Sequence, residues 1–478
     1  MKTKKRIASW VLLATMLLVI GGISVQGTKN VTASSLQDTL VVLHPHSEDF
    51  ANWVFDDFKV WYQEETGKSI GISTIMKYSG ECYEAVATWN GTAPEADIWW
   101  GGGVYYFDLG VSGDLLEGYT VVGDEEIIDE FGGWAMKGAL KDGKHTWYAA
   151  ALSGFGFMWN TEYLAANGLD TPSSWIDLTD HQYMGHIFMT SSKKSGSTVA
   201  SIKQQLQARP YEEGWALWTQ IAANVATFGS SSGAVRDEVA AGTYGIGIVI
   251  DYYYYQKVAT GDPVGFSFGE ATTVSPDPAG IIKNAPHTAQ AQKFMDYLVS
   301  VRGQTRVGKY RPPIRQDATP TPPVLNAFDP KAFPAIPGFD PAVDGKIHSR
   351  ARDVFHHWLE VNHDTAIAAW TEMGKAHEKH EAAIDAFTKV PEDVDTMNEL
   401  KYVDYKDPTV TASWETHGAT QFAAALDMAK AVTPSPPTTV TATATVTVSE
   451  IDMDWFFPLA GILAIPAIIP VILRKRKK

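Results

Sequence analysis

Thr39-Leu-Val-Val-Leu43, then Ser47-Glu-Asp-Phe50, and after Gly67 the stretch Ile70-Gly-Ile-Ser-Thr-Ile-Met76 together decide the fold. Four consecutive apolar residues after Thr39 read as a strand buried on both faces. Ser47 is a candidate N-cap with Glu48 and Asp49 in the first turn, where carboxylates suit the helix dipole. Phe50, Trp53, Val54, Phe58, Trp61 and Tyr62 then recur at helical spacing until Gly67 stops them. Ile70, Ile72, Thr74 and Met76 alternate as a second strand, and Ala96-Asp-Ile-Trp-Trp100 forms a third before Gly101, Gly102 and Gly103. Strand, helix, strand in this order is a βαβ series with a parallel sheet.

The series repeats after Trp147. Strands are expected near 149–158, 186–190 and 244–250, with helices near 197–207 and 211–225. Ala291 to Val301 carries Phe294, Tyr297, Leu298 and Val301 on one helical face. A proline-rich excursion covers 312–341, and 352–432 reads as mainly helical. Two α/β units are therefore expected. Ligands sit outside the carboxyl ends of strands in such sheets, so residues just after strands are the candidates. They are His44 and His46; Tyr78, Ser79, Gly80 and Glu81; Gly101, Gly102 and Gly103; Ser153; Ser195, Gly196, Ser197 and Thr198; and Asp251 with Tyr252, Tyr253, Tyr254 and Tyr255.

The ends carry a different message. Residues 1–34 open on a basic cluster and continue into an apolar run from Ile7 to Val25, the pattern of a signal peptide or N-terminal anchor. Residues 433–450 are rich in threonine and proline and read as an extended stalk. Residues 455–473 are uncharged and apolar for 19 residues, long enough at 1.5 Å per residue for a bilayer core of about 30 Å. The basic tail 474–478 then places the C-terminus in the cytoplasm and the folded part outside. The expected location is the cell membrane, with an anchor and stalk of the kind found on archaeal surface proteins.

Charge and cysteine content remove several function classes. The chain has 55 acidic against 39 basic residues, a net charge of −16, and nine of the basic residues lie in the two terminal clusters. So acidic a body lacks the basic face that nucleic acid requires. A single cysteine, Cys82, excludes an intrachain disulfide and a CxxC site. No HExxH or P-loop pattern is present, which argues against an enzyme.

Six stretches in this order, ADIWWGGG (96–103), SGFGFMWNTEYL (153–164), SGSTVAS (195–201), GIGIVIDYYYY (245–255), DPAGIIKNAPHTAQAQKFMDYLVS (277–300) and RGQ (302–304), resemble the ferric-type solute-binding proteins of ABC importers. The resemblance covers about Leu40 to Arg315. It implies the two-lobed type II periplasmic-binding-protein fold, with a cleft between α/β lobes that closes by a hinge. On that reading lobe 1 spans 36–146, lobe 2 spans 147–270, and 271–432 returns to lobe 1 with C-terminal helices. The implied partners are an ABC permease, its ATPase and a small-molecule or ion ligand. The resemblance also implies an anion site at Ser195–Thr198 with Ser231 nearby, and metal ligation by a tyrosine pair, Tyr252 and Tyr253, with His46. His44 and Glu81 stand as alternatives. Where some ferric relatives carry a glutamate, this chain has Gly101 to Gly103, which weighs against iron. The ligand is expected to be ferric ion with an anion, or a small organic or phosphonate-like solute; a surface sensor or adhesin on the same fold is the alternative.

Overall fold

The computed structural model describes residues 38–329, 332–375, 381–391 and 408–431. The expected signal or anchor (1–34), stalk (433–450), membrane span (455–473) and basic tail (474–478) lie outside these residues. Among the described residues no helix is long and apolar enough to cross a membrane.

The opening stretch folds as its periodicity dictates. Strand β1 (Asp38–His44) is followed by helix α1 (Glu48–Thr66), which ends at Gly67 in the left-handed conformation, and by β2 (Ile70–Met76). Helix α2 (Ser79–Trp89), β3 (Ile98–Trp100) and α3 (Val104–Ser112) continue the series. β1 pairs in parallel with β2 and β3. Two short hairpins then lead to β4 (Tyr148–Ser153), and Gly154 separates it from β5 (Phe155–Asn160).

After β5 the second lobe is built from α4 (Thr161–Asn167), β6 (Ile187–Thr190), α5 (Gly196–Ala208), α6 (Tyr211–Asn224), β7 (Val225–Gly229), α7 (Ser232–Ala240), β8 (Ile246–Ile250), α8 (Asp251–Thr260) and β9 (Val264–Ser267). The chain then recrosses to the first lobe as β10 (Ser275–Ile281), α9 (Thr288–Val299) and α10 (Val301–Val307). The two five-stranded sheets run β2-β1-β3-β10-β4 and β7-β6-β8-β5-β9. Each has three parallel strands followed by an antiparallel one that belongs to a crossover.

Two expectations about boundaries change. β4 pairs with β10 in the first sheet, so the first lobe extends to Ser153 and the change of lobe falls at Gly154 instead of residue 147. The helices α11 (Pro341–Val354), α12 (His363–Gly374), α13 (Glu381–Thr388) and α14 (Pro408–Ala431) bury their apolar faces in the core of the second lobe instead of returning to the first. The cause is the apolar outer face of α6. The Trp215 ring meets Trp358 at 5.7 Å and the Trp218 ring meets Phe355 at 5.7 Å, the last two lying on or beside a π-helical turn after α11. An aromatic side chain buries about 150–250 Å², worth several kcal/mol at about 25 cal/mol per Å², so uncovered indoles here would be costly.

Candidate ligand-binding cleft

Each parallel strand hands the chain to a helix at its carboxyl end, and those junctions face one another across a cavity of about 660 Å³. Its wall takes Ser47 from the start of α1, Tyr78 and Ser79 from α2, and Gly102 and Gly103 from α3. From the second lobe come Ser195–Ser197 of α5, Ser231–Gly233 of α7, and Tyr252 and Tyr253 of α8. Helix N-termini leave backbone N–H groups without intrahelical partners and carry the positive end of the dipole. Ser79, Ser153, Ser197 and Ser231 line the same wall.

The SGST turn divides its labour. Ser195 Oγ accepts from the Thr198 N–H at 3.1 Å and from Ser232 Oγ at 2.7 Å, so it caps α5 and ties it to α7. Thr198 is buried behind the wall, its Oγ1 donating to the Thr190 carbonyl at 3.1 Å. Gly196 and Ser197 line the cavity. Asp251 is likewise behind the wall. Its Oδ2 accepts from the Gly154 N–H at 3.1 Å, tying α8 to the crossover, and burial pushes its carboxyl up to about 7.

Arg311 is a buried cation of the cleft, 1% exposed, and no periodicity in the sequence marks it. It pairs with Asp277 and reaches Ser153 Oγ from Nη2 at 2.8 Å. Asp277 Oδ1 also accepts from the Gly102 N–H at 3.0 Å. Burial alone would raise the Asp277 carboxyl, but the Arg311 charge and His46 outweigh it and hold it below the usual range. His46 lies on the wall with Nε2 3.7 Å from Asp277 Oδ2, and burial holds its imidazole well below the ordinary value. The backbone at Gly101, with φ of +91°, makes room for that ring: a Cβ there would stand 2.6 Å from His46 Nε2. His44 sits behind His46, ring to ring at 5.8 Å, pushed down to about 4 by burial.

Tyr252 and Tyr253 are on the wall, and burial pushes both phenols up. The Arg311 guanidinium stands 5.3 Å from the Tyr252 ring and Arg236 5.2 Å from the Tyr253 ring. Arg236 is itself paired with Asp237 at 2.8 Å. Two further links span the cleft. Lys194 of the second lobe stands 3.8 Å from Glu81 of the first, and Gln256 Nε2 donates to Ser47 Oγ at 2.9 Å. Among the described residues no group of three or more His, Cys, Asp or Glu side chains is arranged to hold a metal ion.

Residues 97–343, just over half of the chain, match the family model for bacterial extracellular solute-binding protein. The chain is 32% identical over 255 residues to the phosphoglycerate transport regulatory protein PgtC of Salmonella typhimurium, a match covering 52% of this chain and 61% of that protein. Among solved structures it resembles the periplasmic binding protein AfuA of Actinobacillus pleuropneumoniae with fructose-6-phosphate bound, with a TM-score of 0.59 at 21% identity over 68% of this chain and 99% of the other. Iron-bound HitA of Pseudomonas aeruginosa superposes with a TM-score of 0.52 at 18% identity over 66% and 97%. At these identities the structural likenesses establish the two-lobed periplasmic-binding-protein fold and nothing about the ligand. With two α/β lobes around a shared cleft and more than half its length under the family model, the chain belongs to the bacterial extracellular solute-binding proteins, which bind and do not catalyse.

Proposed function

We propose that this chain is the solute receptor of an ABC-type importer, held outside the cytoplasm by the 455–473 span, and that it captures a small phosphorylated or phosphonate-like organic anion. The observation that supports this reading is the convergence of helix N-termini from both lobes, with their serine hydroxyls, on one cavity. Phosphate oxygens accept many hydrogen bonds and carry the charge that such termini favour. The wall's arginines are already paired with Asp277 and Asp237, which leaves backbone N–H groups, hydroxyls and the lysines of the wall to meet the anion. The name of the Salmonella typhimurium relative, a phosphoglycerate transport regulatory protein, points the same way. The partners on this reading are the permease and its ATPase.

Ferric ion with a bound anion is the second reading, favoured by Tyr252, Tyr253 and His46 sharing the wall. Against it, iron must displace phenolic protons that burial has made harder to remove, next to two guanidinium groups. Calorimetric titration with 3-phosphoglycerate and fructose 6-phosphate, each beside its dephosphorylated counterpart, tests the proposal. Binding of a phosphate ester but not its parent alcohol is expected. A phenolate-to-iron colour on adding ferric citrate, with no heat from any phosphate ester, would favour iron.

A further inference from the structure

Helix α11 belongs to the second lobe by its packing, yet it touches the first. One face buries Ile347, Ala351 and Val354, of which Ala351 and Val354 join the core around Trp215 and Trp218. From the other face Asp344 and His348 line the ligand cavity. The His348 ring stacks on Tyr105 with centroids 4.0 Å apart and planes 10° from parallel. His348 Nε2 lies 3.3 Å from Tyr106 Oη, and Ser349 Oγ lies 2.9 Å from Tyr105 Oη. Tyr105 and Tyr106 are in the first turn of α3, in the first lobe. The matched family region stops at residue 343, before any of these α11 contacts.

The two polar links across the cleft, Lys194 to Glu81 and Gln256 to Ser47, are weaker. Lys194 and Glu81 are each nearly half exposed, and such surface pairs contribute little. The Gln256–Ser47 hydrogen bond is single and neutral. The His348 stack is buried, His348 being 4% exposed, and two flanking polar contacts fix its register. Opening the lobes at the Gly154 crossover would pull Tyr105 off His348.

We infer that α11 is an interlobe latch: carried by the second lobe, it closes one rim of the cleft by seating His348 on Tyr105 of the first, so that the C-terminal helices set the balance between open and closed receptor. This does not depend on which solute is bound. The test is the distance between spin labels placed on exposed positions of the two lobes, Glu65→Cys and Glu162→Cys, in the full chain dialysed free of ligand; the natural Cys82 is buried. The parent should give one short distance population. His348→Ala should shift it to longer distances, and Tyr105→Ala, altering the opposite lobe, should shift it equally. The double variant should add nothing further, and His348→Phe, which keeps the stack, should resemble the parent. Should one alanine variant fail to fold, the other still reports the contact from its own side. Distance distributions that coincide in parent, His348→Ala and Tyr105→Ala would overturn the latch.

Discussion

Arg311→Met is the substitution whose consequence follows most directly from the structure. The guanidinium is buried, paired with Asp277 and bonded to Ser153 Oγ, with its central carbon 5.7 Å from the Phe50 ring and 5.3 Å from the Tyr252 ring. Methionine replaces most of the apolar stem but leaves the Asp277 carboxylate in a protein interior with the Gly102 N–H and a neutral His46 as its neighbours. Removing one partner of a buried ion pair costs about 3–5 kcal/mol, because the remaining charge is neither solvated nor compensated. Asp277→Asn should cost a similar amount, for it strands the guanidinium. The double variant removes both charges and should lose at least about 2 kcal/mol less than the two single losses added together. Urea unfolding of ligand-free protein, followed by tryptophan fluorescence, measures all four corners of the cycle. Strict additivity, or single variants costing under about 1 kcal/mol, would refute the claim that this pair is a buried, mutually dependent element of the cleft floor.

Three other outcomes are expected. Ser197→Ala should weaken binding of a phosphate ester by about 1–2 kcal/mol, the scale of a hydrogen bond to a charged group, without moving the ligand-free melting temperature. Equal affinities would remove Ser197 from the site. His44 is held at about 4 against an ordinary 6.5 by burial, so as pH falls through that window the unfolded chain takes up a proton that the folded chain refuses, and stability drops. Because Asp251, raised to about 7, acts in the opposite sense, the readout is a difference: His44→Phe should lose about 2 kcal/mol less than the parent between pH 7 and 5, and parallel stability curves would contradict this. Ending the chain after Val432 should release a membrane-bound receptor into the soluble fraction with unchanged affinity; full-length protein found soluble in the cytoplasm would contradict the anchor.

What the sequence reveals is what local pattern controls. The alternation of Thr39–Met76 prescribes β1, α1 and β2 because each face must find apolar cover, and hydroxyls or glycines after a strand mark a helix start wherever they occur. That reasoning finds the right turns but not the direction of each side chain. Ser197 lines the cavity, while Ser195 caps its own helix and Thr198 and Asp251 point into packing behind it. Arg311 and Asp277 could not be found in this way. Neither lies in a periodic run that demands it, and their pairing exists only because β10 and the segment after α10 meet beside Ser153. The C-terminal helices show the same limit: amphipathic spacing tells that Phe355 and Trp358 are buried, and only the indoles of α6 that they cover decide against which lobe.

On the proposed function the cleft holds a small organic anion through phosphate or phosphonate oxygens. Native mass spectrometry of the receptor purified gently from its own cells, followed by release and fragmentation of the bound species, reads this without a choice of probe. A small phosphorus-containing organic mass that is lost on partial unfolding is expected. A retained ferric ion, or a solute without any anionic group, would contradict it.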